Sequence, residues 1–515
     1  MVGVPGKSKG CNTCRKRKIA CGLQTPACIQ CIKSKRVCTG YQREKLFVLV
    51  QPGEKNRKKK RVVLRGQGED DDKSPPSSGS ELQTTPRAET EIIVSPEITT
   101  ISKSIDRQMI LNSFLAQFTP VSRTQRLRGT TPWISMMAGI PIDQSRALEA
   151  SMFALSAAAL GRSCQDRAMV VESLALYNKG LNELQKALYD PSTMYSDETL
   201  AACLALGMYE VMECPANGRH GYESHCRGIL SLVQNRGVNA HTSPLGLQLF
   251  LAARGQGILY SIQYHAPTFL ASTAWMEIPW MHSKKEPIDR IMDCLAVAPR
   301  ILQRTDAFPR LGPAEQANLA YDICLECWQL DRTLQEIYDD LTSNTSSPLF
   351  WPEPSRDQLL DHDDNTNRLF PVAFNFPDLR IASTLMIFWA TRLMLWSGLC
   401  NLYQLINAVD PSMIYKTATG DEKLTDNSGP CLTQLGYSSN YLSLARNVCQ
   451  SVEYCLQEEM RVWGLFTVST GLGIVLGTVQ NDPQCRREVH WIQAMLGKIQ
   501  ARGLRIWQHG ISDCA

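Results

Sequence analysis

Two copies of one cysteine pattern stand seventeen residues apart near the N-terminus. The first is Cys11-Asn-Thr-Cys14-Arg-Lys-Arg-Lys-Ile-Ala-Cys21, the second Cys28-Ile-Gln-Cys31-Ile-Lys-Ser-Lys-Arg-Val-Cys38. Thiolates at this spacing are ligands for zinc, which takes four of them in a tetrahedron. Two separate four-sulfur sites would need eight, so six thiolates close two sites only when two sulfurs serve both metals. The chemistry expected is a binuclear zinc cluster with two Zn2+ per chain, held by Cys11, Cys14, Cys21, Cys28, Cys31 and Cys38. The six negative charges exceed those of two Zn2+, and the surrounding lysines and arginines more than offset the remainder. A disulfide knot would need an oxidising compartment. The residues from Met1 to Lys9 contain no apolar segment of a secretory signal, and the other cysteines are scattered through apolar stretches as reduced core residues.

Each CxxC pair places two sulfurs on one face of a short helix. After Cys14 the run Arg15-Lys16-Arg17-Lys18 nearly encircles the end of the first helix, where cations also suit the helix dipole. These side chains point outward to a polyanion. The second copy has Ile32 and Ser34 where the first has Arg15 and Arg17, while the lysines repeat as Lys16/Lys33 and Lys18/Lys35. The first half is therefore expected to read bases.

The six-cysteine pattern, with Pro26 in the loop between its halves and Gly40-Tyr41 after the last cysteine, resembles the fungal binuclear zinc cluster of DNA-binding transcription factors. The resemblance implies that Cys11 and Cys28 bridge the metals and that the end of the first helix recognises a CGG triplet in the major groove. Carried over, Arg17 and Lys18 are donors to guanine O6 and N7, and Arg15, Lys16, Lys33, Lys35 and Arg36 hold phosphates. Ala20 stands where many relatives carry a base just before the third cysteine, which removes one phosphate contact.

The formal net charge of +4 conceals a division: residues 1–65 carry +16 and the remainder −12. The basic end is the nucleic-acid end. Lys55, Arg57, Lys58, Lys59, Lys60 and Arg61 form a compact basic run that reads as a nuclear localisation signal or an extra phosphate-binding arm, so the expected compartment is the nucleus. A single-stranded RNA reader would show stacking aromatics; residues 7–40 contain none.

The domain order expected is a zinc cluster at 7–41, a basic tail at 42–65, a disordered linker at 66–104 rich in Ser, Pro and Thr, and an all-α regulatory domain at 105–515. No a/d heptad follows the cluster: Leu46-Phe-Val-Leu-Val50 ends at Pro52. A homodimer would therefore form through the helical domain. Amphipathic helices are expected near 107–118, 144–161, 166–188, 197–213, 220–235, 246–265, 286–300, 314–341, 379–407, 435–459 and 484–508. The apolar runs Leu465–Val479 and Ile381–Ala390 fall short of a membrane span, so no membrane partner is expected.

Three stretches are similar to the second type of fungal-specific transcription factor domain: His225-Cys-Arg-Gly228 with Arg236-Gly237; Phe269-Leu270 with Trp275 and Pro279-Trp280; and Phe374-Asn-Phe376-Pro-Asp378 ahead of Trp389. This implies regulation, a small-molecule effector or dimerisation there, often in control of secondary-metabolite gene clusters. Catalysis is not expected. Gly471-Leu-Gly473 lacks the strand and acid of a dinucleotide fingerprint. Cys324/Cys327 and His220/His225/Cys226 read as helix-core residues, and Asp361-His-Asp-Asp364 as a solvated loop. The rival reading is a helical small-molecule-binding protein or enzyme whose zinc module serves only for tethering.

Overall fold

The computed structural model describes residues 10–11, 13–14, 17–24, 27–34, 36–38, 109–118, 130–137, 144–214, 218–356, 369–409 and 433–506. The chain divides into two compact units, Met1–Lys59 and Lys60–Ala515. The basic run at 55–61, the linker at 66–104 and Asp361–Asp364 lie outside the described residues.

The first unit is built around sulfur. Cys11, Cys14, Cys28 and Cys31 are fully buried, with Cys21 and Cys38 packed against them, and no apolar core is present among its described residues. Helix α1 (Ile29–Lys33) starts at Cys28, whose sulfur accepts the Cys31 N–H, and Ser34 caps its end.

The second unit is helical. Its long helices are α2 (Met109–Phe118), α3 (Thr130–Met137), α4 (Arg146–Ser163), α5 (Arg167–Tyr189), α6 (Asp197–Glu213), α7 (His220–Arg236) and α8 (Pro244–Gln263). After the short α9 (Thr273–Glu277) come α10 (Pro287–Thr305), α11 (Pro313–Ser343) and α12 (Leu379–Asn407), then α13 (Leu442–Gln450), α14 (Val452–Cys455), α15 (Arg461–Val479) and α16 (Arg486–Ala501). Local chemistry fixes the starts. Ser145, Asp166, Ser196, Ser243 and Asp378 each accept an N–H of the first turn, and proline opens α8, α10 and α11, where its missing donor costs nothing.

In the first half of this unit, α4 packs along α5 and α6, and α8 joins α6 and α7 to α10. In the second half, α12 is the hub, touching α10, α11, α13 and α15. An apolar surface all round a helix must be covered on every side, and residues 379–395 are buried nearly throughout. Arg392, which interrupts this apolar helix, reaches back to α11: Nε donates to Asp331 Oδ1 at 2.7 Å and Nη2 to Oδ2 at 3.2 Å, while Trp396 Nε1 donates to the same carboxylate at 2.9 Å.

Several expectations need correction. Two segments, Leu379–Asn407 and Glu458–Val479, are long and apolar enough to cross a membrane, contrary to the run-length reading, although 61% and 56% of their apolar windows are buried inside this unit. The large domain is mostly helical as expected, and among the described residues it adds one short antiparallel ribbon of β1 (Trp351–Pro354) and β2 (Val372–Asn375). The single helix expected at 435–459 is broken. Ser451 returns its hydroxyl to Asn447 O at 2.7 Å, and a new segment, α14, begins there. The chain then turns through Arg461, at φ 54 and ψ −154, a conformation that a side chain strains. Gly464 follows because a Cβ there would lie 1.9 Å from Cys455 O.

Candidate metal centre and nucleic-acid interface

The six sulfurs fall into two groups of four: Cys11, Cys14, Cys21 and Cys28; and Cys11, Cys28, Cys31 and Cys38. Within each group all ligand atoms lie within 4.8 Å of one another. Cys11 and Cys28 belong to both. Tetrahedral zinc with Zn–S near 2.3 Å separates its sulfurs by roughly 3.8 Å. The Sγ separations are 3.7 Å for Cys11–Cys28, 3.8 Å for Cys11–Cys31 and 3.5 Å for Cys14–Cys28, so the cage has the size of the ion. Among the described residues, no other group of His, Cys, Asp or Glu gathers in this way.

The backbone supports the cage twice over, in the same manner. Cys14 N donates to Cys11 Sγ and Cys31 N to Cys28 Sγ, each at 3.4 Å, so a CxxC turn aims an N–H at each shared sulfur. Thr13 Oγ1 ties the first half to the second through Val37 O at 3.0 Å. Burial pushes the thiols of Cys11 and Cys14 up, and that of Cys31 up to about 12. Stable thiolates there need a compensating cation, and a coordinated thiol is deprotonated outright by the metal.

Around this core the cations face solvent. Arg17, Lys18, Lys33 and Arg36 are exposed; Arg15, Lys16 and Lys35 lie outside the described residues. No acid precedes Glu44 in the sequence. The helical turn at Thr13 and Cys14 ends with Ile19 N donating to Cys14 O at 3.1 Å, across Lys18 at φ 56. This is the helix end that glycine usually closes. The second half repeats the closing bond, Arg36 N to Cys31 O at 3.0 Å. Arg17 Nη1 donates to Ser34 Oγ at 3.0 Å, a contact the sequence reading missed. Its only trace in the sequence is that both residues stand three places after the second cysteine of their copy.

The helical landmarks are structural. His225 is buried on α7 with Nε2 3.4 Å from the Tyr177 hydroxyl, which donates to Glu210. Burial lowers His225 to about 4 and raises Glu210. Arg236 pairs with Asp197. Trp275 and Trp280 close around Phe250, each with ring centroids 5.7 Å from it. Phe374 and Trp389 meet Phe350, Phe376 packs on Tyr454, and Asp378 caps α12. Cys324 and Cys327 are buried on α11 with their thiols raised to about 12, unsuited to redox exchange. Gly471 lies on α15 against Met386 and Val448.

Residues 9–46 match the family described as fungal Zn(2)-Cys(6) binuclear cluster domain, and residues 93–278 the family described as fungal specific transcription factor domain. The chain carries both domains. Such a cluster holds two zinc ions, and the two four-sulfur groups provide for both. The second match contains the first helical landmark and, of the second, Phe269-Leu270 and Trp275, and ends before Pro279-Trp280 and Phe374. An uncharacterized protein of Emericella nidulans is 25% identical over 205 residues, 38% of this chain and 44% of that one. An uncharacterized transcriptional regulatory protein of Schizosaccharomyces pombe is 62% identical over 32 residues, 6% of each chain. White-opaque regulator 2 of Candida albicans is 54% identical over 33 residues, 6% of this chain and 7% of its own. The chain thus spans less than half the length of these curated relatives. No solved structure matches it.

Proposed function

We propose that the protein is a sequence-specific, DNA-binding transcription regulator of RNA polymerase II genes. Cys11, Cys14, Cys21, Cys28, Cys31 and Cys38 are the metal ligands in this reading, with Cys11 and Cys28 bridging. Arg17 and Lys18 donate to guanines of a CGG-type triplet, and Arg15, Lys16, Lys33, Lys35 and Arg36 hold phosphates. The carrying observation is the pair of four-sulfur groups sharing Cys11 and Cys28, with Arg17 and Lys18 exposed where the first half's helical turn ends. Lys18 adds support of its own: a lysine keeps the left-handed position that glycine would occupy without strain.

The basic run at 55–61 directs the chain to the nucleus, and 66–104 joins the cluster to a regulatory domain at 105–515. That domain pairs two copies and takes a small-molecule effector, and the genes controlled are those of a secondary-metabolite cluster. The family resemblance supports these finer assignments. Catalysis forms no part of the reading. The test is binding of the zinc-loaded full chain to a duplex bearing CGG against one with the triplet scrambled. Preference for CGG that disappears on chelation is the expected result; equal affinity for both duplexes refutes it.

A further inference from the structure

The two halves of the cluster are related by an offset of seventeen residues, so Arg17 and Ser34 occupy the same place in their copies. They also meet. Arg17 Nη1 donates to Ser34 Oγ at 3.0 Å, while the Ser34 hydroxyl lies 2.7 Å from Gln30 O and 3.2 Å from Cys31 O, at the end of α1. A hydroxyl has one proton and two acceptor sites. Donation to Gln30 O uses the proton, which leaves a lone pair held in place for the guanidinium.

This bond selects an edge of Arg17. The guanidinium has five N–H groups in a fixed fork, and two parallel ones are needed to grip guanine O6 and N7. Binding Nη1 to Ser34 leaves the Nε and Nη2 pair intact, and no partner for either is found among the described residues. An exposed arginine otherwise spreads over many rotamers, and ordering it on DNA costs affinity. Ser34 removes part of that cost before DNA arrives. A second arginine at position 34 would instead place two guanidinium groups against each other, which gives the unequal halves of the repeat a physical reason.

We propose that Ser34 is a positioning residue for base reading: a hydroxyl in the second half of the cluster orients the Arg17 fork of the first half toward its guanine. The proposal rests on Arg17 being a base contact. It predicts that Ser34 governs discrimination between sequences rather than general attraction to DNA.

The test is a double-mutant cycle in the zinc-loaded full chain, with zinc content measured for each variant and affinities taken on a CGG duplex and a scrambled one. Ser34→Ala should lower affinity for CGG about three- to tenfold, the range of one ordinary solvent-exposed hydrogen bond, and leave scrambled DNA within about twofold. Ser34→Thr, which keeps the hydroxyl, should retain most of the preference. In an Arg17→Ala background, Ser34→Ala should have no further effect. The proposal is overturned if Ser34→Ala weakens both duplexes equally, if its effect persists without Arg17, or if it tightens CGG binding, since the bond would then withhold Arg17 from DNA. If Arg17→Ala alone leaves the CGG preference intact, the base-reading role of Arg17 fails and the proposal falls with it, while zinc-dependent DNA binding stands.

Discussion

Removal of a shared sulfur should differ in kind from removal of an unshared one. In the grouping of six sulfurs into two sets of four, Cys28 belongs to both sets and Cys21 to one. Eight Zn–S bonds result, of which Cys28→Ala deletes two and Cys21→Ala one. Structural zinc in small modules is bound by about 10–16 kcal/mol, so one of four bonds to an ion is worth roughly 2.5–4 kcal/mol. That corresponds to about 10²- to 10³-fold in affinity. Cys21→Ala should weaken one ion by that factor and leave the other near its original affinity. Cys28→Ala should weaken both. Among its described residues the module has no apolar core to hold it without metal, so both ions should leave together. Competition against a graded series of chelators, with native mass spectrometry counting ions on the full chain, separates the cases. A one-zinc species for Cys28→Ala at chelator strengths where Cys21→Ala also holds one would refute the shared-sulfur arrangement.

Other consequences reach both units. Lys18→Ala should cost about 1–3 kcal/mol on CGG DNA and much less on scrambled DNA, read by fluorescence anisotropy. In α15, Gly464→Ala should destabilise the helical unit by about 3 kcal/mol or more, because its Cβ meets Cys455 O at 1.9 Å. Gly477→Ala in the same helix meets nothing within 4 Å and should stabilise by about 0.4–1 kcal/mol. Burial lowers both His225 and His241 to about 4 from 6.5. The unfolded chain therefore takes up protons first, and stability conferred by the neutral rings is present above pH 6.5 and lost as pH falls toward 4. Each should cost about 2 kcal/mol between pH 7 and pH 5. Urea unfolding followed by tryptophan fluorescence reads this unit alone, since all 10 tryptophans lie beyond residue 100, and His225→Asn should flatten the dependence.

What could be read from the sequence was what local chemistry encodes. Cysteine spacing states a coordination number, and the bridging pair carried over from the family coincides with the two sulfurs common to both groups. Amphipathic periodicity placed the starts of α4 to α8 and α10 to α12 within a few residues of those observed. Long-range contacts were hidden. Trp351-Pro-Glu-Pro354 reads as a loop because of its prolines, yet a two-stranded ribbon consists only of edges, where a missing N–H is tolerated. The break at Ser451 and the turn at Arg461 bring Gly464 against Cys455 O, a close approach that helical periodicity does not register. The Arg17–Ser34 bond spans seventeen residues between two exposed polar side chains, and no pattern of hydrophobicity or charge marks it.

The most direct test of the account is selection of bound duplexes from a random library by the zinc-loaded full chain, run in parallel with chelator. Enrichment of a CGG triplet with zinc, abolished by chelation, is the predicted result, and two triplets at a recurring spacing would add pairing of two copies. Failure to enrich any sequence, or the same enrichment with the metal removed, would contradict the claim that the cysteine cluster holds a zinc-dependent DNA reader.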